Sequence, residues 1–276
     1  MNNYLNIALY QQDIVWNDRR ANYDLVRDRL ATLAEPVDII VLPETFSCGF
    51  GDNMVEMAES QEGLSMEFAL QMAREHDALF VATWPVREGE HVYNRLHWVR
   101  PDGSFGTYDK GHTFRVSGEA DIIARGTERC VFEWRGWGIK PAVCYDLRFP
   151  KWLRNGVRES ERPKLPTDGV SMCDEAIGLD YDLMIVCANW PGSRFEAWKT
   201  LIRARAIENL SYVVGVNRVG KDGADIGYTG NSVAVDYKGL PIAECEAGKE
   251  QLLTAQLDKG SLEKFRQHWP FYLDFD

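Results

Sequence analysis

Short apolar segments alternate with amphipathic segments along the first third of the chain. The apolar runs at residues 7–10, 39–42 and 79–83 have the length of buried strands, whereas residues 22–33 and 65–74 space their apolar side chains as a helix does. This order predicts an α/β fold, because each helix must bury its apolar face against a sheet.

The pattern changes between residues 92 and 139 and then returns. The short strands there are joined by the turn sequences PDG at 101–103 and RGWG at 135–138, which are typical of hairpins. Residues 183–188 are continuously apolar and predict a buried strand, which is followed by a helix and by a strand at 212–219. The predicted buried face of that helix comprises Trp198, Leu201, Ile202 and Ile207. We therefore expect two packed sheets covered by helices.

One domain is predicted over residues 1–276. The chain is 45% hydrophobic, which is enough for a large core, and no Pro/Gly/Ser-rich linker divides it. Residues 156–178 lack a clear period and contain Pro163 and Pro166, so we expect an irregular insertion that is a lid, a binding loop or disordered. The C-terminal tail at about 259–276 is too aromatic for a free end, and a second copy of the chain is the simplest surface for it to dock on.

Charge and composition exclude several classes of partner. The 31 basic and 42 acidic residues give a net charge of −11, which repels nucleic acid, and no basic patch offsets it. The N-terminus lacks a signal region and no apolar run approaches the ~20 residues that span a bilayer, so we expect a cytoplasmic protein without a membrane partner. The six cysteines are widely spaced without C-x-x-C, as expected for free thiols in a reducing compartment.

No metal or other cofactor is expected. The five histidines lack the H-x-x-H and H-E-x-x-H spacings of metal sites. The glycines form neither a dinucleotide-binding motif nor a P-loop. Any catalysis is therefore expected to come from the side chains themselves.

Three reactive residue types each stand at the end of a predicted strand. Cys144 follows an apolar segment and precedes a polar turn, Glu44 follows the strand at 39–42, and Lys110 follows a short strand of a hairpin. Strand ends in α/β folds carry the reactive groups, so these residues are candidates for one site. A free thiol is only slightly ionised at neutral pH and needs a base or a cation beside it.

The segments around these residues resemble those of a known family. LPETF at 42–46, YDKGHTF at 108–114 and VCYDLRFP at 143–150 are similar, in this order, to the Glu-Lys-Cys motifs of the nitrilase superfamily, the carbon-nitrogen hydrolases. The resemblance extends over about residues 4–257. The words WRGW, CYDLRFP, ANWP and RARAIEN look most like the bacterial omega-amidase branch, which deamidates 2-oxoglutaramate and similar 2-oxo acid amides.

This resemblance implies a fold, an assembly and a mechanism. The implied fold is a four-layer αββα sandwich, and members pair into homodimers or larger homo-oligomers. Cys144 would attack a carboxamide to form a thioester, and Glu44 would move the protons. Lys110 and the backbone N–H of Tyr145 would hold the oxyanion. Many relatives have a second glutamate after the lysine motif, which orients the lysine or the amide nitrogen. Glu119 stands at the matching position in this chain.

The resemblance also implies a substrate, the ω-carboxamide of a small 2-oxo acid such as 2-oxoglutaramate or 2-oxosuccinamate. The distal carboxylate of such a substrate needs a cation, and Arg194 is the candidate, with Trp190 as a pocket wall. The alternative for Arg194 is a solvated residue at a helix start. The same triad would also suit an N-carbamoyl amine, an aliphatic amide or a nitrile, or the fold could be an inert scaffold.

Other reactive residues are interpreted as structural. Asp146 and Arg148 would share a face and brace the turn beneath Cys144, through an ion pair or backbone hydrogen bonds, and His112 would be a hydrogen-bonded packing residue. Cys173 lies in the insertion without obvious partners. The remaining cysteines are expected to be small core residues: Cys48, Cys130, Cys187 and Cys245.

Overall fold

The computed structural model of the protein describes residues 3–157 and 178–275. These residues form two six-stranded sheets and a separate two-stranded hairpin. The first sheet contains β1 (Tyr4–Gln11), β2 (Ile39–Val41), β3 (Leu79–Glu88), β4 (His91–Val99), β5 (Phe105–Asp109) and β14 (Gln251–Asp258). The second sheet contains β6 (Phe132–Trp134), β7 (Trp137–Val143), β8 (Leu183–Ala188), β9 (Tyr212–Asn217), β12 (Val233–Val235) and β13 (Pro241–Glu244). The hairpin pairs β10 (Val219–Lys221) with β11 (Gly227–Thr229).

Both sheets are built around three parallel strands. The spatial order is β14-β1-β2-β3-β4-β5 in the first sheet and β13-β12-β9-β8-β7-β6 in the second. Strands β1, β2 and β3 are parallel, as are β7, β8 and β9, and antiparallel strands flank each set. The predicted hairpins are present as β4–β5 and β6–β7.

Helices cover the outer faces of the sheets. The helices are α1 (Arg19–Leu30), α2 (Leu64–His76), α3 (Glu119–Ile122), α4 (Pro150–Leu153), α5 (Phe195–Asn209) and α6 (Lys259–His268). Alternate side chains of β2 and β3 point to opposite sides, because the side-chain period of a strand is two. Ile39 and Val41 join the core between the sheets, whereas Ile40 packs in the cluster that contains α1 and α2. This layering confirms the predicted αββα architecture.

Helix α5 buries most of the face that was predicted, including Leu201, which packs partly buried against the core. Trp198 and Ile202 are fully buried as expected, but Ile207 is 53% exposed. The buried face continues through Arg205 and Asn209, which lie at helical spacing from Trp198. Their polar groups are satisfied, since Arg205 donates to the carbonyl of Leu147 and Asn209 donates to that of Arg205. The prediction was wrong at Ile207 because it ranked positions by hydrophobicity alone, whereas hydrogen-bonded polar side chains complete this face.

The predicted strand at 212–219 is divided, since β9 ends at Asn217 and β10 begins at Val219.

The predicted insertion at 156–178, with Cys173, lies outside the described residues apart from its two ends. Those ends are close together, because Val157 and Leu179 form an antiparallel bridge. In the described parts of the chain, no helix is long and apolar enough to cross a membrane.

The aromatic tail docks partly on its own chain. Tyr272 is 1% exposed and clusters with Leu179 and Leu210, and the guanidinium of Arg154 lies 3.8 Å from the ring centroid of Phe275. Two other rings stay at the surface: those of Trp269 and Phe271, which are 49% and 52% exposed. The tail therefore has one face on the protein and another face towards solvent.

Candidate active site

Three strand ends bring the predicted reactive residues to one edge of the two sheets. Strand β5 is antiparallel to β4, which is antiparallel to β3, so β5 runs in the direction of β2 and β3. Glu44 shortly after β2 and Lys110 directly after β5 consequently meet at the same edge. Cys144 directly follows β7 of the facing sheet. The structure thus brings together the residues that the sequence analysis selected.

Lys110 lies between two carboxylates in the interior. Its Nζ is 2.8 Å from Glu44 Oε1 and 2.9 Å from each carboxylate oxygen of Glu119. The side chains of all three residues are fully buried. Burial alone would lower the pKa of Lys110, but the charges of Glu119 and Glu44 outweigh it and hold that pKa above its usual value. The ammonium therefore stays charged at neutral pH.

The carboxylate of Glu44 is held by donors on both oxygens. Lys110 and the Asn94 side chain donate to Oε1, each at 2.8 Å, and the backbone N–H of Asn189 donates to Oε2 at 2.8 Å. The next residue, Thr45, has a φ of 46° and donates its N–H to Thr83 Oγ1. These contacts fix the turn that carries Glu44.

Cys144 begins a 3-10 helix, Cys144–Arg148, in an unusual backbone conformation. Its φ of 44° lies in the left-handed region, which non-glycine residues seldom adopt outside functional or tightly constrained turns. The residue is 8% exposed, and its Sγ lies 3.8 Å from the carbonyl oxygen of Asn189. The next amide, that of Tyr145, is in the first turn of this helix, where backbone N–H groups lack partners within the helix.

Asp146 braces this turn from below, as predicted. Its carboxylate accepts hydrogen bonds from the Val143 N–H at 3.0 Å and the Tyr108 hydroxyl at 2.7 Å, and His112 Nδ1 lies 2.9 Å from it. His112 also stacks on Phe149 and is a packing residue, again as predicted.

Arg148 was assigned wrongly by the sequence analysis. Asp146 is fully buried, whereas Arg148 is exposed, lines the cavity and has its guanidinium 5.0 Å from the ring centroid of Trp190. The strict alternation assumed for these two residues does not apply, because the strand has already ended and a 3-10 helix has begun.

Burial and negative charge keep the Cys144 thiol protonated. Burial raises the pKa of Cys144 well above its usual value, the charge of Glu44 raises it further, and Lys110 opposes both. Burial likewise raises the pKa of Glu119, against the opposing charge of Lys110. The resting site therefore holds a thiol, and its proton must leave as the sulfur attacks.

A cavity of about 430 Å³ opens above the sulfur atom. Cys144, Tyr145, Trp190 and Arg194 all line it, the last two as part of its wall. Trp190 is 4% exposed and donates from Nε1 to the carbonyl of Arg194 at 2.9 Å. The guanidinium of Arg194 lies 5.1 Å from the ring centroid of Phe114. Neither Arg194 nor Arg148 forms an ion pair with another residue that the structure describes.

Trp16 is a second pocket wall that the sequence analysis missed. Its ring lies between two loops that also line the cavity, one with Gly51 and one with Gly223. A Cβ on Gly51 would lie 2.7 Å from the ring, and one on Gly223 would lie 2.3 Å from it. Only glycine allows this close approach, so these two glycines hold the indole in place. No pattern around Trp16 in the sequence indicated this contact.

Asn94 was also missed, although its position offered a signal. Asparagine is depleted in strands, and Asn94 lies in the middle of β4 with no exposed surface.

Among residues 3–157 and 178–275, no cluster of three or more His, Cys, Asp or Glu side chains could hold a metal ion.

The chain belongs to the carbon-nitrogen hydrolase family, whose sequence model matches residues 6–267. It is 39% identical to the omega-amidase YafV of Yersinia enterocolitica, over 99% of this chain and 97% of that protein. It is 28% identical to the 2-oxoglutaramate amidase of Bacillus subtilis, over 97% of this chain and 96% of that protein. Its structure matches that of a CN-hydrolase superfamily protein from Xanthomonas campestris with an arsenic adduct in the active site, with a TM-score of 0.91, 40% identity and coverage of 100% of this chain and 98% of that one.

Proposed function

We propose that this protein is an amidase that hydrolyses the ω-carboxamide of a small 2-oxo acid, 2-oxoglutaramate or 2-oxosuccinamate, to the acid and ammonia. The observation that carries the proposal is the set of contacts among the buried charged side chains beside Cys144. Glu44 is bound to Lys110 at 2.8 Å and influences the Cys144 thiol by charge and by hydrogen bonding. The similarity to omega-amidases over nearly the whole chain supports the substrate class.

The first half of the reaction forms a thioester. Glu44 takes the thiol proton as Cys144 Sγ bonds to the carboxamide carbon, and the carbonyl electron pair moves onto oxygen. Lys110 and the Tyr145 N–H stabilise this oxyanion, and one well-placed donor of this kind contributes about 3 to 4 kcal/mol. When the intermediate collapses, the C–N bond breaks and the proton on Glu44 goes to the departing ammonia.

The second half hydrolyses the thioester. Glu44 removes a proton from water, whose oxygen bonds to the acyl carbon, and the same donors hold the second oxyanion. The C–S bond then breaks, the sulfur regains the proton, and the carboxylic acid leaves. Glu119 orients Lys110 throughout, since both of its carboxylate oxygens contact Nζ at 2.9 Å. The cycle uses no cofactor.

Two arginines are candidates to bind the distal carboxylate of the substrate. Arg194 and Arg148 both line the cavity. The guanidinium of Arg194 lies 5.1 Å from the ring centroid of Phe114, and that of Arg148 lies 5.0 Å from the ring centroid of Trp190. A planar guanidinium that rests on a ring can still present its N–H groups to a carboxylate in two parallel hydrogen bonds. Trp190 supplies the apolar wall between them.

The assembly and location are part of the proposal. Trp269 and Phe271 stack with ring centroids 5.8 Å apart and are about half exposed, at 49% and 52%, so a second copy of the chain would bury them in a homodimer. We place the enzyme in the cytoplasm, where its cysteines would stay reduced.

A panel of amides tests the substrate assignment. Ammonia release should be fastest with 2-oxoglutaramate or 2-oxosuccinamate, slower with aliphatic amides that lack the carboxylate, and slowest with N-carbamoyl amines and nitriles. A higher kcat/KM for an N-carbamoyl amine or a nitrile would contradict the proposed substrate, and the absence of turnover with every compound would favour an inert scaffold.

A further inference from the structure

Asn94 contacts the two carboxylates that Lys110 also contacts. Its Nδ2 donates to Glu44 Oε1 at 2.8 Å and to Glu119 Oε1 at 3.3 Å. Lys110 Nζ donates to the same two oxygens, at 2.8 and 2.9 Å. The backbone carbonyl of Asn94 also accepts the Lys110 N–H at 3.0 Å. One asparagine is therefore hydrogen-bonded to both carboxylates through its side chain and to the backbone N–H of Lys110 through its carbonyl.

A neutral donor is what the charges of this site require. Glu44 and Glu119 carry two negative charges against the single positive charge of Lys110, and all three side chains are buried. A second cation would hold Glu44 too firmly for it to accept a proton, whereas an amide donates two hydrogen bonds without adding charge.

The orientation of the Asn94 side chain fits this role. Its Oδ1 is buried and has no hydrogen-bond partner within the described chain. Turning the amide over would place that oxygen against two carboxylates, which is more unfavourable still. In the observed orientation both Nδ2 hydrogens are donated, and Oδ1 is left without a partner among the described residues.

We propose that Asn94 is a positioning residue for amide hydrolysis, which holds the two carboxylates so that Glu44 can exchange a proton with Cys144. This inference rests on the proposed function. Oε1 of Glu44 accepts from both Asn94 and Lys110, and Oε2 accepts from the Asn189 N–H, so the carboxylate plane is fixed relative to the sulfur.

The test is Asn94→Leu, which keeps the number and branching of the side-chain heavy atoms and removes the donor. The charged or titratable groups around Glu44 are Lys110, Glu119 and two thiols, those of Cys144 and Cys187. Loss of a donor to the ionised form lets the carboxylate pair bind a proton at higher pH, so the acid limb of the kcat/KM profile should move to higher pH. We expect kcat to fall roughly tenfold to hundredfold. KM should change little, because Asn94 does not line the cavity.

Asn155→Leu is the matched control. Asn155 is 2% exposed and hydrogen-bonded to Tyr181 and Asn209, so its loss should lower stability without moving the acid limb. A folded Asn94→Leu variant with a wild-type acid limb and kcat would overturn the proposal. If this variant does not fold, Asn94→Ser takes its place, and failure of both to fold rejects a positioning role in favour of a purely structural one. Failure of the proposed function is distinct, since the wild type would then release no ammonia from amides.

Discussion

The bottom of the site and the wall of the cavity are built in opposite ways. The bottom consists of three side chains beside Cys144, those of Glu44, Lys110 and Glu119. These three do not line the cavity but are fully buried and joined by hydrogen bonds of 2.8 and 2.9 Å. On the wall, Arg148 and Arg194 are exposed and rest on aromatic rings without ion pairs to other described residues. Under the proposed function, this difference corresponds to two roles, in which the buried bottom determines which bond is broken and the exposed wall determines which molecule is held.

Removing the cation from the bottom should have the largest effect. In Lys110→Met the two carboxylates lose their partner, so activity should fall by roughly a thousandfold or more. Stability at pH 7 should fall by about 3 to 5 kcal/mol in urea unfolding, because buried charges are left uncompensated.

The pH dependence of this variant gives a second measure. Without Lys110 the pKa of Glu119 rises further, because the charge that opposed burial is gone. A carboxyl whose pKa is higher in the folded state stabilises the fold when it is protonated, so the variant should recover stability as the pH falls from 7 towards 5. The control is Lys249→Met, which removes a cation from an ion pair whose lysine side chain is 65% exposed. This change should leave the free energy of unfolding almost unaltered. Equal losses of stability in the two variants would mean that the buried cation contributes no more to the fold than a surface cation does.

Truncating the wall should change binding more than chemistry. For Arg194→Ala we expect KM for 2-oxo acid amides to rise about tenfold to hundredfold, because a hydrogen bond to a charged group is lost. An aliphatic amide without a carboxylate should be hydrolysed as by the wild type. Arg148→Ala is measured in parallel, and the variant with the larger increase in KM identifies the arginine that binds the carboxylate more strongly. An unchanged KM in both variants would show that neither arginine binds the carboxylate.

The smallest effect is expected at Trp16. Trp16→Ala should widen the cavity and shift the ratio of kcat/KM towards an amide that is one methylene longer, by roughly tenfold. Trp134→Ala, at a half-buried ring outside the cavity, is the control for loss of an indole. A ratio that stays at the wild-type value would mean that Trp16 supports the two loops without setting the size of the pocket.

The sequence predicted the bottom of the site better than the wall. Glu44, Lys110 and Cys144 could be found because each follows a strand, and strand ends meet at one edge of a sheet. Asn94 could not be assigned a role, because its partners are 50 and 25 residues away along the chain and only the tertiary fold brings them together.

The wall depends on close approach between loops, which leaves no period in the sequence. Trp16 fits between Gly51 and Gly223 because neither glycine has a side chain, and such contacts are visible only in three dimensions. Arg148 was misassigned for a related reason, since the change from strand to 3-10 helix at Cys144 altered the direction of the following side chains. Strands and the main helices, by contrast, follow directly from the hydrophobic pattern.

The central claim is that the sulfur of Cys144 carries the acyl group, and alkylation resolved by peptide mass spectrometry tests it most directly. Cys144 lines the cavity and Glu44 can take its proton as the sulfur reacts, so iodoacetamide should modify it far faster than Cys48, Cys187 and Cys245, which do not line the cavity. Ammonia release should fall in proportion to that one modification. Wild-type ammonia release from protein whose Cys144 is fully alkylated would contradict the account.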